Sequence, residues 1–146
     1  MPPNAQDAGL VYSRFNHPNL QIVEERLAVL EGGEGALMFA SGMAAITAAI
    51  LAFARPGDTI LHSQPLYGGT ETLLVGTLAP FGLKAQGFMD GLHEDAVMQA
   101  VDACQSKVPI IYVESPANPT CGIVDFNLVK RAADAIEKKQ GSRPLI

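Results

Sequence analysis

The stretch FASGMAAITAAI, residues 39–50, places a Ser-Gly pair between two apolar segments. Residues 36–40 are predicted to form a short strand, and the alanine-rich residues 43–54 a buried helix. The serine can simply cap the helix, because serine is a preferred N-cap residue. The pair can also bind an anion, because the first N–H groups of a helix are unpaired and Gly42 lets an anion come close. Spacing alone leaves both interpretations open.

Outward from this stretch, predicted helices and strands alternate along the chain. The clearest strand is VPIIYV at 108–113, an unbroken apolar run typical of a parallel strand covered on both faces. The alternation predicts an α/β fold, with a mostly parallel sheet and helices on both faces. Residues 1–11 suggest an irregular arm, and residues 144–146 the first half of a buried strand. The remaining predicted helices cover residues 20–30, 67–79, 94–104 and 126–139, and the remaining strands residues 59–62 and 83–88.

Composition limits the classes of partner. The 146 residues are 48% hydrophobic, enough for one core, and the net charge of -5 argues against nucleic acid or an anionic membrane as the main partner. The longest apolar stretch is too short to span a bilayer, and no signal peptide is visible at the N-terminus. The two cysteines form neither a metal-type pair nor a disulfide framework, so we expect no metal site, and free thiols in a reducing cytoplasm.

Two common phosphate-binding motifs are excluded. The glycine-rich residues 32–35 precede a predicted strand, whereas a dinucleotide-binding fingerprint follows one. The sequence also contains no Gly-Lys-Ser/Thr, so it lacks a nucleoside triphosphate loop. A nicotinamide-binding domain is therefore disfavoured.

Three further segments carry candidate binding residues. Tyr12 and Arg14 are two apart in an arm predicted to be extended, so their side chains would point to one side and suit phosphate oxygens. Taken alone, a packed tyrosine and a solvated arginine are the favoured explanation of this pair. Tyr67 follows a strand beside two glycines, which would expose its ring at the carboxyl edge of the sheet, where ligands bind. Asn118, between Pro116 and Pro119, either binds a ligand or forms a structural turn. We expect at least one of the Ser115–Pro116 and Asn118–Pro119 bonds to be cis.

Four segments together resemble one family of enzymes. YSRFNHPN, EGGEGALMFASGMAAI, RPGDTILHSQPLYGGT and VESPANPT occur in this order from about residue 10 onwards. They are similar to the pyridoxal-phosphate enzymes of cysteine and methionine metabolism, which include cystathionine γ-synthases, cystathionine and methionine γ-lyases, and O-acetylhomoserine sulfhydrylases. The resemblance implies the large domain of a fold type I pyridoxal-phosphate enzyme, in part.

The resemblance also implies a role for the Ser-Gly pair and for the arm. The turn at Ser41, through the backbone N–H groups of Gly42 and Met43, would hold the cofactor phosphate at the helix N-terminus. Tyr12 and Arg14 would bind the phosphate held by a neighbouring subunit. The whole protein would therefore be a homo-oligomer, with a dimer of dimers expected.

For the other candidates, the resemblance implies contacts with the cofactor ring. Tyr67 would stack on the pyridine ring and take part in proton transfer, and Asn118 would hydrogen-bond the ring's 3-oxygen. Ser63 and Glu114 lie near these positions in the sequence and receive no role. Gly69 stands where some methionine γ-lyases carry a cysteine, which favours a synthase, a sulfhydrylase or an unspecialised lyase.

The resemblance covers only part of such an enzyme. It implies an arm at residues 1–18 that contacts the neighbouring subunit, and a partial cofactor-binding domain at residues 19–146. The aspartate for the pyridine nitrogen, the Schiff-base lysine and the small C-terminal domain would lie beyond Ile146. The activity implied is γ-replacement or γ-elimination on homoserine esters, cystathionine or methionine in cytoplasmic transsulfuration. We expect the 146 residues alone to be inactive. The alternative is a non-catalytic fragment that keeps only the phosphate cradle.

Overall fold

The computed structural model describes residues 12–14 and 16–146, and the chain divides into two compact units, residues 1–45 and 46–146. Residues 1–11 of the predicted arm lie outside the described part. The helices are α1 (Pro18–Glu31), α2 (Gly42–Phe53), α3 (Gly68–Glu71), α4 (Glu94–Ala103) and α5 (Phe126–Gln140). The strands are β1 (Thr59–Ser63), β2 (Lys84–Phe88) and β3 (Ile110–Tyr112). After α3 the chain continues as a π-helix, Thr72–Leu78, and a 3-10 helix, Ala79–Phe81.

In the first unit, α1 begins and ends with sequence-encoded signals. Pro18 occupies its first turn, where a missing N–H costs nothing, and the His17 side chain accepts a hydrogen bond from the N–H of Asn19 at 3.2 Å. Gly32 ends the helix with φ +64°, a left-handed conformation that glycine adopts without strain. The predicted helix and its stop at glycine are confirmed.

The strand predicted at residues 36–40 is wrong. These residues are irregular in the structure, and the N–H of Met38 donates to a Glu24 side-chain oxygen at 2.8 Å instead of to a strand. A strand is stable only when its backbone groups pair with a neighbouring strand. The described residues of the first unit contain no strand with which residues 36–40 could pair, so their apolar character is not sufficient to make them a strand.

The second unit is built on a parallel three-stranded sheet in the order β2-β1-β3. All five residues of β1 are buried, so both faces of the central strand are covered. The sheet continues weakly at the end of the chain, where Leu145 pairs in parallel with Ile110. This pairing confirms the strand start predicted at residues 144–146, but Leu145 is about half exposed rather than buried.

Strand β3 is shorter than the predicted run of 108–113. Pro109 has no N–H to contribute to a ladder. The backbone of Val108 is paired by a side chain instead: its N–H donates to the Gln140 amide oxygen and its carbonyl accepts from the Gln140 amide nitrogen, both at 2.9 Å. A glutamine at the end of α5 therefore takes the place of a strand neighbour.

Helices cover the sheet on both faces, as predicted. In the order β2-β1-β3, the chain moves in one direction across the sheet from β1 to β2 and in the opposite direction from β2 to β3. Because crossovers between parallel strands are right-handed, the helices of these two connections lie on opposite faces. Leu61, Phe88 and Ile111 share the core on one face with α4 and α5. The helical segment between β1 and β2 buries Leu73, Leu74 and Leu78. The helices contribute Val97, Ala100, Val101, Val129, Ala132, Ala133 and Ile136 to the main core.

Candidate functional site

The Ser-Gly pair caps α2 and leaves its start open. The Ser41 hydroxyl oxygen accepts the N–H of Ala44 at 3.1 Å, and the Ser41 carbonyl accepts the N–H of Ala45 at 3.1 Å. Ser41 and Gly42 are exposed, and a Cβ placed on Gly42 would meet nothing within 4 Å. Capping therefore occurs as the simpler interpretation requires. It does not close the helix end, where the positive end of the dipole and an open space fit a phosphate group.

Tyr12 and Arg14 meet, although not in an extended arm. The N–H of Asn16 donates to the Tyr12 carbonyl at 3.0 Å, which closes a turn, so the predicted extended conformation is wrong. The turn brings the Arg14 guanidinium to 4.9 Å from the centre of the Tyr12 ring, within cation–π range. The Tyr12 ring and the Arg14 guanidinium thus lie together on one turn of the first unit, and both residues are exposed.

Tyr67 lies between the carboxyl end of β1 and the first turn of α3. Its side chain is about half exposed, while its N–H is held by a Glu114 carboxylate oxygen at 2.6 Å. The preceding Gln64 is fixed to β2 by its N–H, which donates to the Phe88 carbonyl at 2.9 Å. The backbone around Tyr67 is therefore anchored to both outer strands, and the ring remains accessible at the edge of the sheet.

Glu114 joins the ends of β1 and β3. Its carboxylate accepts hydrogen bonds from the Thr70 hydroxyl at 2.9 Å and the Tyr112 hydroxyl at 3.0 Å, in addition to the Tyr67 N–H. Its own N–H donates to the Ser63 hydroxyl at 3.0 Å. Burial and the nearby Glu114 raise the pKa of Tyr112 to about 12, so Tyr112 remains a neutral donor at ordinary pH. No role was predicted for Ser63 and Glu114 from the sequence, although an acidic residue directly after a predicted buried strand indicates this edge of the sheet.

Asn118 lies on an exposed loop after β3. The Ser115–Pro116 and Asn118–Pro119 bonds are both cis, which confirms the prediction that at least one would be. The loop closes on itself, because the N–H of Cys121 donates to the Ala117 carbonyl at 2.7 Å. Its stem is tied by the Ser115 hydroxyl, which accepts the N–H of Val124 at 3.1 Å. Asn118 is therefore presented to solvent on a tightly folded loop.

The structure brings two of the candidates to one place. Tyr67 and Asn118 lie on loops that leave the same edge of the sheet, because β1 and β3 are neighbouring parallel strands. Tyr12, Arg14 and the turn at Ser41, Gly42 and Met43 belong to the first unit.

Three further features bear on the class of site. Residues 12–14 and 16–146 contain no group of three or more His, Cys, Asp or Glu side chains arranged to hold a metal ion. Among the same residues, no helix combines the length and the apolar character that crossing a membrane would take. Both cysteines are free thiols, with Cys104 buried and Cys121 exposed.

Comparison with known proteins gives a consistent set of relatives. The family model for "Cys/Met metabolism PLP-dependent enzyme" matches residues 3–140, where PLP is pyridoxal phosphate. An L-methionine gamma-lyase from Pseudomonas putida is 41% identical over 130 residues, covering 88% of this chain and 31% of the relative. An O-acetyl-L-homoserine sulfhydrylase from Corynebacterium glutamicum is 41% identical over 128 residues, covering 88% of this chain and 29% of the relative.

A solved structure supports the same likeness. It is a putative O-acetylhomoserine (thiol)-lyase from Campylobacter jejuni with N'-pyridoxyl-lysine-5'-monophosphate, similar with a TM-score of 0.79 and 35% identity over 92% of this chain and 32% of that chain. This likeness confirms the prediction that the chain forms part of a fold type I domain. The chain thus spans about a third of the length of the relatives it matches.

Proposed function

This chain belongs to the family of Cys/Met metabolism PLP-dependent enzymes, and we propose that it supplies the phosphate cradle and one wall of the cofactor site in a transsulfuration enzyme. The full-length protein would catalyse γ-replacement or γ-elimination on homoserine esters, cystathionine or methionine, as a cytoplasmic homo-oligomer. The observation that carries the proposal is the placement of the Tyr67 and Asn118 loops at one edge of the parallel sheet, where ligands bind in open α/β folds.

The cradle residues fit a phosphate group by charge and by space. The N–H groups of Gly42 and Met43 lie in the first turn of the twelve-residue helix α2, at the positive end of its dipole. Ser41 caps that turn, and its hydroxyl hydrogen can still donate to an anion. The arm at residues 1–18 would bring Tyr12 and Arg14 to the phosphate of a neighbouring subunit, so that two chains complete each site.

The ring-binding residues orient the reacting group and move protons. Pyridoxal phosphate, when bound, supplies an electron sink for negative charge on the substrate's α-carbon. Asn118 would donate its side-chain amide to the 3-oxygen of the ring. Tyr67 would cover one face of the ring, exclude water from that face and exchange a proton with the substrate through its hydroxyl. Its half-exposed side chain leaves the hydroxyl accessible for that role.

Substrate assays on the full-length protein test the activity. We expect thiol chemistry with at least one substrate among O-acetylhomoserine plus sulfide, cystathionine and methionine. Gly69, two residues after Tyr67, favours a synthase, a sulfhydrylase or an unspecialised lyase, so the homoserine ester is the first substrate to try. Cofactor binding without turnover of any of these substrates would favour the non-catalytic alternative.

Arg14 tests the binding site independently of turnover. We expect Arg14→Ala in the full-length protein to weaken cofactor binding by roughly 1.5–3 kcal/mol, the range for a hydrogen bond to a charged group. Arg26→Ala, at an arginine inside α1, is the matched control and should leave the affinity unchanged. Equal affinities of the Arg14 variant and the parent would contradict the role of the arm.

The isolated chain provides a further test. We expect borohydride reduction of the 146 residues with pyridoxal phosphate to leave no single lysine stoichiometrically modified, because none of the lysines lies in the serine- and threonine-rich context expected for the covalent link. Stoichiometric labelling of one lysine, together with thiol release from methionine or a homoserine ester, would contradict the proposal that 19–146 is a partial domain.

A further inference from the structure

Glu114 is the residue on which the end of β3 and the start of α3 converge. Its carboxylate reaches across 47 sequence positions to the N–H of Tyr67, the shortest of its hydrogen bonds at 2.6 Å. The same carboxylate accepts the hydroxyl of Thr70, whose side chain is fully buried. Tyr67 and Thr70 are the N-cap residue and the third residue of the helical turn. Both ends of that turn are therefore held by one side chain from the segment that follows β3.

The turn needs this partner because its own residues cannot supply one. In a capping box, a glutamate or glutamine at the third helical position returns to the N–H of the N-cap residue. Here that position is Thr70, and the Tyr67 side chain makes no capping bond. Glu114 supplies the missing carboxylate from the segment that follows β3, near the positive end of the helical segment that starts at Gly68.

Glu114 is itself fixed. Its N–H donates to the Ser63 hydroxyl at 3.0 Å, and Ser63 is 2% exposed at the end of β1. The Tyr112 hydroxyl donates to the same carboxylate from the last residue of β3 at 3.0 Å. The carboxylate thus has little freedom, and it fixes the backbone of Tyr67 relative to the sheet.

We propose that Glu114 is a positioning residue that sets the place of Tyr67, and through it the aromatic wall of the cofactor site. The inference rests on the proposed function for the role of the Tyr67 ring, but the contact with the Tyr67 backbone stands without it. Loss of the carboxylate leaves the Tyr67 N–H and the buried Thr70 hydroxyl without their acceptor, and the turn opens more often.

Amide hydrogen exchange over residues 66–71 measures this opening directly in the full-length protein. We expect Glu114→Ala to raise the exchange rate of this segment by about tenfold or more, as for loss of a hydrogen bond to a charged group. Glu114→Gln keeps an acceptor oxygen and should rescue most of the effect. Glu71→Ala removes a carboxylate from the same turn without touching the Tyr67 N–H and should change the rate by less than about twofold, which makes it the matched control.

Kinetics of the holoenzyme separate positioning from general stability. If Glu114 acts through the Tyr67 ring, Glu114→Ala should lower kcat in the parent but change it by less than about twofold in a Tyr67→Ala background, where that ring is absent. An equal loss in both backgrounds would show that Glu114 does not act through Tyr67 and would overturn the inference.

The other outcomes of the exchange experiment also test whether Glu114 positions Tyr67. Unchanged exchange in a folded Glu114→Ala protein overturns the inference, whether or not the parent binds pyridoxal phosphate. If Glu114→Ala does not fold, Glu114→Asp replaces it, because the shorter side chain draws the carboxylate away from the Tyr67 N–H, and unchanged exchange in that variant has the same meaning. A parent that fails to bind the cofactor, with faster exchange in Glu114→Ala, removes the proposed function and leaves the positioning contact standing.

Discussion

Gly87 in β2 is the position where one added methyl group should disturb the Tyr67 loop from a distance. A Cβ at Gly87 would lie 2.4 Å from Cδ, 2.5 Å from Oε1 and 2.9 Å from Cγ of the Gln64 side chain. Rotation about the outer bonds of Gln64 moves Cδ and Oε1 but leaves Cγ in place, so relief requires a different χ1 rotamer. The backbone of Gln64 cannot simply retreat, because its N–H is bonded to the Phe88 carbonyl.

The magnitude follows from overpacking. Forcing extra atoms into an occupied space costs about 1–3 kcal/mol, so we expect Gly87→Ala to lower the free energy of unfolding by this amount in urea denaturation. Gly76→Ala is the matched control: its new Cβ would meet only Thr72 Cγ2 at 3.8 Å, in an exposed helical turn. That substitution should be neutral or stabilising by roughly 0.5–1 kcal/mol.

A double-mutant cycle tests the cause. With Gln64→Ala in the background, the side chain that clashes is absent, and Gly87→Ala should cost at least about 1 kcal/mol less than in the parent. Equal costs in the two backgrounds would refute the assignment of the clash to Gln64. Exchange of the amides at 64–67 should rise in the single variant and return toward the parent value in the double variant.

Three further predictions concern the core, a tyrosine and the cysteines. Leu61→Ala, at a fully buried residue of β1, should cost roughly 2–5 kcal/mol in urea denaturation, whereas Leu92→Ala, at an exposed residue, should change stability by less than about 0.5 kcal/mol. Burial raises the pKa of Tyr112 from 10.0 to about 12, so between these pH values the folded state keeps a proton that the unfolded state loses. The stability that this proton contributes is lost as the pH rises, and the Tm of the parent should fall across this range. Tyr112→Phe has no proton to lose at this position, so its Tm should fall less over the same range. Burial also raises the pKa of the Cys104 thiol, which makes this buried cysteine unreactive in the folded protein. One equivalent of a thiol reagent should therefore react quickly with the native protein at the exposed Cys121, and a second equivalent should react only after unfolding.

The pattern of the sequence was sufficient for the elements whose hydrogen bonds are local. Helix α1 was predicted from its apolar spacing and its glycine stop, and the predicted helix at 126–139 is confirmed as α5 with one further residue. Both could be predicted because each helical N–H finds its partner four residues away. The parallel character of the sheet followed from the alternation of elements. The placement of Tyr67 and Asn118 at the carboxyl edge of the sheet followed from the same pattern, and their roles are proposals.

The errors occurred where a partner comes from elsewhere in the chain. Residues 36–40 are apolar enough for a strand, yet their backbone groups find no strand to pair with in the first unit. Residues 108–113 form a shorter strand than predicted because Gln140, not a strand, pairs with Val108. Strand hydrogen bonds are non-local, so an apolar run limits where a strand can form but does not fix its ends.

The sequence by itself determined the family, the α/β class and the order of the elements, since these depend on local motifs and on apolar periodicity. Only the tertiary structure decided that Glu114 holds the N–H of Tyr67, and that Ser63 in turn holds the N–H of Glu114. These contacts join residues 47 and 51 positions apart. They exist because two parallel strands become neighbours and end at the same edge, and the position of Tyr67 depends on that folded arrangement.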